Sequence, residues 1–511
     1  MDEKSTLSEF LNNQYIKRNI KRTGGCIGCG KCCDGNVKNY AIKNDTVVLT
    51  DRAEFGCKHY DVSTKKCLTY CDRKEWCTLF PYLPENLFEG CGYKFESLEP
   101  KNDNKNLRVS IFTPTNNPKF LLELYESIKE QDFYEWVIVA NNVDVIKFDE
   151  RVKIFRLDDV HYIGALKRYA CTMCCGDILV EVDHDDLLAP DAIEEIKKAF
   201  ENPEIGFVYS NSANFKNNFE ATVPHRRDYG WKCREVEFKG YKLFEQIAFS
   251  ATPSTVSKIW CAPNHVRAWR KTVYDEVGGH NPEMRVLDDG ELIMRTYLKT
   301  KMKHVDKCLY FYRIRTDSEN SWLIHNKEIQ DGVYPLYDRY IYKLVSRWAD
   351  LNSYRKVDLG GRFDAPKGYE SVDLKNADII ADLNSKWPFE DNSVGVIRAH
   401  DIIEHLKNPI HVMEEAYRIL KPGGYFMILV PSTDGRGAFQ DPTHISFFNE
   451  NSFWYYTRRT QNKYINCNVR FQAIRLVTAY PSQYHAQNKI SYVYCQLVAL
   501  KGQETYGEVL I

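Results

Sequence analysis

The chain has 511 residues, with 69 basic and 70 acidic side chains and 43% hydrophobic residues. A chain of this length is expected to form about three domains rather than one core. Its near-zero net charge gives no sign of an extended surface for nucleic acid or membrane. The charged N-terminus Met1-Asp2-Glu3-Lys4 lacks the apolar stretch of a signal peptide, and no run of about 18 apolar residues predicts a membrane span, so we expect a cytoplasmic protein.

Cysteines are concentrated near the N-terminus, where nine of the 17 precede Gly92. In a chain without an export signal such clustering favours metal ligation, with disulfides or free thiols as the alternatives. Thiolates select zinc or iron, including iron–sulfur clusters. The candidate ligands are Cys26, Cys29, Cys32, Cys33, Cys57, Cys67, Cys77 and Cys91.

This segment resembles a family of small zinc- or iron-chelating domains. The family signature is a CxxCxxCC run followed by Cys, Tyr, Arg, Cys and Phe-Pro. The matching residues after the run are Cys67, Tyr70, Arg73, Cys77 and Phe80-Pro81, and Cys71 is additional to the pattern. The resemblance implies a Cys-rich metal-binding module over residues 1–100, and the polar stretch 97–106 predicts a linker after it.

From Leu107 the sequence alternates between predicted strands and helices. The apolar runs Val109–Pro114 and Trp136–Ala140 and the run after Gly176 predict strands, and apolar residues at helical spacing predict the helices between them. This order predicts a mostly parallel sheet in an α/β domain.

The run after Gly176 ends in three carboxylates, Asp183, Asp185 and Asp186. In an open α/β sheet, ligands bind in the crevice beyond the carboxyl ends of the strands. Asp oxygens suit Mg²⁺ or Mn²⁺, and a cation held there would neutralise a diphosphate. The alternative is that Asp185 and Asp186 cap the next helix while Asp183 is solvated.

Residues 107–345 resemble family-2 glycosyltransferases of the GT-A fold. The matching segments are Thr113-Pro114-Thr115-Asn116-Asn117, Gln131, Gly164-Ala165-Leu166-Lys167-Arg168, Asp183-His184-Asp185, Asn264-His265-Val266-Arg267-Ala268-Trp269-Arg270, Gly278-Gly279-His280 and Leu287-Asp288-Asp289-Gly290-Glu291. The resemblance implies a domain over 107–350 that transfers a sugar with inversion from a nucleotide sugar, most simply a UDP-sugar, with Mn²⁺ or Mg²⁺.

The resemblance also implies residue roles. Asp183 and Asp185 would hold the metal, and Asp289 would be the catalytic base, with Asp288 in place of the usual Glu. Asn141 and Asn142 stand where many relatives place nucleoside-binding acids, so the donor nucleotide stays open. The residues expected to bind the donor and its metal are Thr113, Asn142, Lys167, Asp183, Asp185 and Asp186.

Two features follow the acidic motifs. Arg313 and Arg315 fit either a phosphate clamp or pairing with surface acids, and the second interpretation is slightly favoured. The residues Leu336, Tyr340, Leu344 and Trp348 repeat every four positions and predict an amphipathic helix, which would close the first α/β domain near Asp350 or pack on the next one.

From Tyr354 a second α/β unit begins. The segment Lys356–Gly361 predicts a strand that breaks into two glycines, where a backbone can approach a ligand closely. Asp373 follows, placed to accept ribose hydroxyls.

Residues 354–500 resemble class I methyltransferases that use S-adenosylmethionine. The matching segments are Ala381-Asp382-Leu383, Trp387–Ser393, Ile403-Glu404-His405-Leu406 and Lys421-Pro422-Gly423-Gly424 before an apolar strand. The resemblance implies a methyltransferase domain over 354–511. In it Gly360 and Gly361 would lie near the methionine part of the cofactor, Asp373 at the ribose, and Asp382 and Leu383 near the adenine. The glycine loop is shorter than the usual pattern, and a fold that only binds or scaffolds is the alternative.

A base would assist methyl transfer to a hydroxyl acceptor. His405 and His444 are the candidates, because imidazole can be neutral near pH 7, and a structural role is the alternative for each.

Together these features predict an α/β, three-part enzyme that attaches a sugar and methylates the sugar or its acceptor. Glycan, lipid-linked sugar, protein and modified nucleic-acid base remain as acceptors. The alternative from another class is a metal-binding recognition or scaffold protein with one or both α/β domains inactive.

Overall fold

The computed structural model describes residues 107–224, 230–259, 262–315, 321–361 and 365–502, and before residue 107 only the backbone of six short strands. These strands pair antiparallel, β1 with β6, β2 with β3 and β4 with β5. The side chains of all eight candidate cysteine ligands lie outside the described residues, so the N-terminal metal module stays a prediction. The strands are β1 (Ile20–Gly24), β2 (Lys38–Lys43), β3 (Thr46–Arg52), β4 (Tyr60–Asp61), β5 (Lys66–Cys67) and β6 (Tyr93–Ser97).

The chain divides into two compact units. The first comprises residues 1–118, 132–160 and 169–179, and the second comprises residues 119–131, 161–168 and 180–511. Within the described residues, no helix is both long enough and apolar enough to cross a bilayer.

The first unit contains the parallel strands predicted from the apolar runs. β7 pairs with β8 and β8 with β9, both in parallel, and every residue of β7 and β8 is buried. Strands that are buried on both faces are rich in apolar residues, which is why β7 and β8 could be predicted from sequence even though they also bury polar residues such as Ser110 and Glu135. Its strands are β7 (Val109–Thr115), β8 (Glu135–Ala140) and β9 (Val152–Arg156); helix α2 (Ile163–Met173) and strand β10 (Ile178–Glu181) have residues in both units.

The second unit begins with a mixed sheet built on β12. β12 pairs in parallel with β16 and antiparallel with β14 and β15. These antiparallel partners differ from the mostly parallel sheet that the sequence predicted. The elements are α1 (Leu121–Ile128), β11 (Leu187–Leu188), α3 (Ala192–Ala199), β12 (Ile205–Lys216), β13 (Lys232–Phe238), β14 (Tyr241–Ile247), α4 (Pro253–Lys258), β15 (Arg267–Arg270), α5 (Lys271–Glu276), α6 (Asp288–Lys299), β16 (Lys301–Ile314), α7 (Ser321–Ile324) and α8 (Asn326–Leu351).

A seven-stranded sheet follows, in the order β19-β18-β17-β20-β21-β23-β22. Its first five strands are parallel and β23 runs antiparallel to both neighbours. The elements are β17 (Arg355–Leu359), β18 (Glu370–Asp373), β19 (Ile379–Ile380), β20 (Val394–His400), α9 (Pro409–Ile419), β21 (Leu420–Pro431), α10 (Gly437–Gln440), α11 (Glu450–Thr457), α12 (Arg459–Asn462), β22 (Phe471–Ala479), α13 (Gln483–Gln487) and β23 (Tyr492–Ala499).

Helix α8 serves both α/β parts of the second unit. Tyr340 on this helix donates a hydrogen bond to Glu291 of α6, at 2.6 Å. The contacts of α8 with the seven-stranded sheet are mainly apolar, and four fully buried residues of the helix make them. The helix residues are Tyr337, Ile341, Val345 and Ala349, and the sheet residues are Val396, Tyr425, Met427, Ile474 and Val498. The predicted amphipathic helix is therefore present, and it packs on both neighbours.

Candidate functional site

A buried cluster of charged side chains lies at the end of β10. Glu181 is fully buried, and its Oε1 is 2.5 Å from Lys167 Nζ, which also lies 3.6 Å from Asp288 Oδ2. Burial alone would lower the pKa of Lys167, but the charges of Asp288 and Glu181 outweigh it and hold that pKa well above its ordinary value. Burial would likewise raise the pKa of Glu181, and Lys167 outweighs it, so that pKa is well below the usual range. Both side chains are therefore charged at neutral pH.

Gly164 allows helix α2 to bring Lys167 to this cluster. Its amide donates a hydrogen bond to the carbonyl oxygen of Met284, at 3.1 Å. A Cβ added at Gly164 would lie 2.0 Å from the carbonyl oxygen of Asn281, so the helix could not approach this loop with any larger residue there.

His265 joins Glu181 and Asp183. Its Nε2 lies 3.9 Å from Glu181 Oε1 and 3.9 Å from Asp183 Oδ2, and its ring stacks on Tyr310 with 4.6 Å between centroids. The three residues each present a ligand atom, and these atoms lie within 4.8 Å of one another. Neither ring nitrogen of His265 makes a hydrogen bond among the described residues, nor does either oxygen of Glu181, which is held as an ion pair. Glu181 already has Lys167 as its charge partner, whereas a buried imidazole without a hydrogen bond is costly unless a ligand satisfies it, so His265 together with Asp183 fits a metal ion.

Asp185 and Asp186 have protein partners. Arg315 Nε lies 3.2 Å from Asp185 Oδ2. Asp186 accepts hydrogen bonds from the Tyr310 hydroxyl and the Arg313 amide, both at 2.7 Å. Burial raises the pKa of Asp185 and, together with the charges of Asp185 and Asp183, raises that of Asp186 well above its usual range. Their roles toward the donor stay predictions.

Arg313 is buried and connects the backbone at Asp185 to the side chain of Glu123. It is 1% exposed, donates to the carbonyl oxygen of Asp185 at 2.7 Å and pairs with Glu123 at 2.8 Å. The favoured interpretation was that Arg313 pairs with surface acids. The pairing with an acid is confirmed, but the prediction that Arg313 lies at the surface was wrong.

Asp288 and Asp289 begin α6 with opposite electrostatic environments. Arg267 Nη1 lies 2.5 Å from Asp289 Oδ2. Burial would raise the pKa of Asp289, but Arg267 and Lys167 outweigh it and lower that pKa. Burial raises the pKa of Asp288 to about 7 and lowers that of His280, 3.8 Å from Asp288, to about 3. At neutral pH Asp289 is therefore an anion while Asp288 is near its midpoint.

The predicted donor-binding residues of the first unit have internal partners. Thr113 is fully buried, and its Oγ1 accepts a hydrogen bond from Trp136 Nε1 at 2.9 Å. The amide of Asn142 donates to Asp158 at 2.8 Å, and the Asn141 side chain donates to the carbonyl oxygen of Val160 at 2.7 Å. Their contacts with a nucleotide stay predictions.

The glycine turn after β17 is packed tightly. Gly360 has φ +73° and donates to the carbonyl oxygen of Val372 at 2.8 Å. A Cβ at Gly361 would lie 2.1 Å from Asp358 Oδ2. That carboxylate is fully buried and is held by Arg398 Nη1 at 2.8 and 2.9 Å. The predicted turn is present, and its shape depends on a buried ion pair that the sequence did not reveal.

Of the other predicted cofactor residues, Asp373 is the last residue of β18, and Asp382 and Leu383 follow β19. The carbonyl oxygen of Asp373 accepts a hydrogen bond from the Ala381 amide at 3.0 Å. Asp382 accepts from the Asn384 amide at 2.9 Å, which lowers its pKa. Leu383 is 4% exposed and belongs to the core of the sheet. Their roles toward a cofactor stay predictions.

The two predicted histidine bases are brought together. The rings of His405 and His444 lie 4.9 Å apart, edge to face. Beside them is Glu404, whose pKa burial raises to about 8, with a further contribution from Asp401.

Sequence reasoning missed four polar residues that the fold places here. They are Glu181, His265, Arg267 and Glu404. His265, Arg267 and Glu404 stood in segments already singled out by the family resemblances, and Glu181 is an acid inside an apolar strand. A buried charge in a strand is a usable signal, because it requires a partner.

Comparison with known proteins identifies two domains. The family model described as "Glycosyl transferase family 2" matches residues 110–262, and the one described as "Methyltransferase domain" matches residues 363–428. The chain is therefore a multidomain α/β protein with a glycosyltransferase domain followed by a methyltransferase domain, and these two predictions are confirmed. The first match includes Asp183 and Asp185 and ends before His265.

The individual similarities are short. A curated protein of Mycolicibacterium smegmatis named "Probable S-adenosylmethionine-dependent methyltransferase" is 30% identical over 80 residues, which cover 15% of this chain and 29% of the relative. An uncharacterized methyltransferase of Schizosaccharomyces pombe is 40% identical over 40 residues, 8% of this chain and 14% of the relative. The chain thus spans less than a third of the length of these curated relatives.

Among solved structures, S. aureus TarS 1-349 has a TM-score of 0.33 at 15% identity, covering 51% of this chain and 76% of that chain.

Proposed function

We propose that this chain transfers a sugar, with inversion, from a nucleotide sugar to a hydroxyl acceptor and methylates the sugar or the acceptor with S-adenosylmethionine. The observation that carries the first reaction is that His265 lies 3.9 Å from both Glu181 and the partly exposed Asp183, while Arg267, two residues further along the chain, pairs with Asp289. The acceptor class is a glycan, a lipid-linked sugar, a protein or a modified base, and a UDP-sugar is the first donor to test.

Asp183 would hold Mn²⁺ or Mg²⁺, with Asp185 as its predicted partner and with Glu181 and His265 within reach of the same ion. The unpartnered nitrogens of His265 support this set, because a cation would satisfy them. When bound, the metal supplies positive charge against the leaving nucleoside diphosphate.

Asp289 is suited to accept the proton of the attacking hydroxyl. Its side chain is 23% exposed, whereas that of Asp288 is 5% exposed, so Asp289 is the more accessible of the two. As the acceptor oxygen bonds to the anomeric carbon, the bond to the diphosphate breaks and the proton passes to Asp289. Arg267 keeps this carboxylate ionised beforehand and fixes its position.

Lys167 lies between the carboxylates of Glu181 and Asp288 and offsets their negative charge. It pairs with Glu181 at 2.5 Å and lies near Asp288, so the carboxylates around the proposed metal do not repel one another unopposed. We infer a positioning role for it in addition to the donor contact predicted from the sequence.

For the second reaction, S-adenosylmethionine supplies the methyl group. The turn at Gly360 and Gly361 would bind its methionine part, because a turn without side chains leaves backbone amides accessible. Asp373 would accept the ribose hydroxyls, Asp382 and Leu383 would border the adenine, and neutral His405 or His444 would take the proton of a hydroxyl acceptor.

Donor hydrolysis tests the first reaction. Purified protein with Mn²⁺ and a panel of nucleotide sugars should release nucleoside diphosphate slowly, and Asp183→Asn should abolish the release. Asp191→Asn is the matched control, because this surface acid pairs with Lys307 away from the cluster. Absence of turnover and binding with every donor would instead support a recognition or scaffold role.

Ligand-dependent stability tests the second. S-adenosylmethionine at 100 times its Kd should add about 2.7 kcal/mol to the free energy of unfolding of the domain that binds it. An unchanged unfolding free energy at saturating ligand would contradict the methyltransferase proposal.

A further inference from the structure

The methyltransferase part contains a second group of potential metal ligands, formed by Glu404, His405 and His444. Each offers one ligand atom, and these atoms lie within 4.8 Å of one another. Glu404 Oε1 is 3.9 Å from His444 Nε2. Glu404 and His405 lie on the short turn that follows β20, and His444 lies on the loop after α10. The group is thus beyond the carboxyl end of β20, where open α/β sheets bind ligands.

Both imidazoles are anchored through the same ring atom. His444 Nδ1 lies 2.9 Å from the carbonyl oxygen of Ala438, and His405 Nδ1 lies 3.2 Å from the carbonyl oxygen of Thr443. His405 Nδ1 also lies 3.1 Å from the Thr443 hydroxyl, which donates its own proton to Asp441 at 2.7 Å and so accepts from the ring. Because the carbonyl oxygens only accept as well, each Nδ1 carries the proton when the ring is neutral. The lone pair is then on Nε2, and such anchoring through the far nitrogen is the arrangement found in metal-ligating histidines.

Glu404 is the buried member of the group. It is 2% exposed, and neither carboxylate oxygen makes a hydrogen bond among the described residues. Its backbone is fixed, because its carbonyl oxygen accepts hydrogen bonds from the amides of Ile445 and Ser446, both at 2.9 Å. The same contacts tie the loop of His444 to the turn of Glu404. A buried carboxylate without a hydrogen bond is costly, and a cation would offset that cost.

We propose that Glu404, His405 and His444 bind one divalent cation in the methyltransferase part of the chain, distinct from the ion expected at Asp183. Two imidazoles and a carboxylate suit ions of intermediate softness such as Mn²⁺, Co²⁺ or Zn²⁺. Three protein ligands leave coordination positions open, so the ion is suited to hold an oxygen of the methyl acceptor. An imidazole bound through Nε2 has no lone pair left for a proton, so in the metal-bound site the ion would activate the acceptor hydroxyl in place of His405 or His444. Asp441, with a carboxylate oxygen 4.0 Å from His444 Nε2, lies at the rim of the site.

Counting bound Mn²⁺ tests the site without any transferase assay. The full chain carrying Asp183→Asn and Asp185→Asn, which removes the other proposed ion, is titrated with Mn²⁺, and free ion is measured by electron paramagnetic resonance. We expect one bound Mn²⁺ per chain, and at least a tenfold weaker affinity after Glu404→Gln or His444→Gln is added. Glu414→Gln and His411→Gln, at nearby positions of α9, are the matched controls and should leave binding unchanged.

A second probe guards against loss of fold. Co²⁺ added to the same variants should give the weak absorption bands of a nitrogen- and oxygen-ligated ion, beside any intense thiolate bands from the Cys-rich segment. His405→Gln should alter only the weak bands while circular dichroism stays that of the parent. Equal Mn²⁺ affinity in the parent and in Glu404→Gln would overturn the proposal, as would a parent that binds no Mn²⁺. Because no donor, acceptor or S-adenosylmethionine is present, failure here is distinguishable from failure of either proposed reaction.

Discussion

Arg267 Nη1 lies 2.5 Å from Asp289 Oδ2, whereas Oδ2 of the adjacent Asp288 makes no hydrogen bond among the described residues. Two neighbouring carboxylates on one helical turn thereby differ in charge at neutral pH. The ion pair lowers the pKa of Asp289, and burial raises that of Asp288 to about 7. Asp289 is therefore ionised at neutral pH, whereas the protonation of Asp288 changes near pH 7.

Asp289→Asn should remove sugar transfer but not donor binding. An amide cannot take the acceptor proton, and general-base catalysis typically contributes about 10²- to 10⁴-fold in rate. We expect kcat to fall by at least about 100-fold with the Kd of the donor nucleotide unchanged, measured by steady-state kinetics and calorimetry. Asp275→Asn, on the exposed face of α5, is the control. A variant with normal kcat would assign the base elsewhere.

Asp288→Asn should change how stability depends on pH. Between its ordinary pKa of 3.8 and the folded value of about 7, Asp288 is protonated when folded and ionised when unfolded. The folded state binds more protons in that window, so its stability falls as pH rises through it. Asparagine cannot ionise, so the variant should gain thermal stability relative to the wild type as pH rises from 4 to 8, by about 1.4 kcal/mol for each pH unit that separates the folded and unfolded pKa values of Asp288. A difference in melting temperature that is constant over this range would contradict the burial argument.

Gly164→Ala should destabilise the cluster around Lys167. The new Cβ would lie 2.0 Å from the carbonyl oxygen of Asn281, so the helix must move away from its loop. Strain of this kind costs about 1 to 3 kcal/mol, visible as a lower urea midpoint. Gly290→Ala in α6 is the control, because no atom lies within 4 Å of its added Cβ, and alanine favours a helix by about 1 kcal/mol. Equal effects of the two substitutions would show that the packing of Gly164 is unimportant.

Arg398→Met should destabilise the methyltransferase part strongly. It removes the ion pair that Arg398 makes with the fully buried Asp358, and breaking a buried pair from one side costs about 3 to 5 kcal/mol. Arg355→Met breaks an exposed pair with Glu370 on the neighbouring strand, which is worth about 0 to 1 kcal/mol. Chemical unfolding monitored with both variants checks the contrast, and similar losses for the two would contradict it.

Local patterns predicted strands β7, β8, β10, β17 and β21 and helices α1, α2 and α8, a minority of the elements of the two α/β parts. Apolar runs such as those of β7 and β8 are buried along their length, and the spacing of Leu336 and Leu344 follows the helical repeat. The position of Asp183 at a strand end was predictable for the same reason, since a strand ends where its apolar run ends.

The partners of the acids were not predictable in this way. His265 and Arg267 follow Asp183 by about eighty residues, and β15 carries Arg267 into the sheet by pairing with β12. That pairing depends on tertiary structure, which periodicity does not encode. The anchoring of His405 and His444 through backbone carbonyl oxygens is invisible in sequence for the same reason.

Helix α8 precedes the methyltransferase part in sequence but covers one face of its sheet, which limits where the chain can be divided into fragments. A fragment that began at Tyr354 would lack the helix residues that cover Val396, Tyr425 and Met427. It would present an apolar face to water and should aggregate or recruit another surface. A cut at residue 354, between the regions that resemble the two transferase families, would therefore expose this sheet. A methyltransferase fragment that folds by itself has to include helix α8.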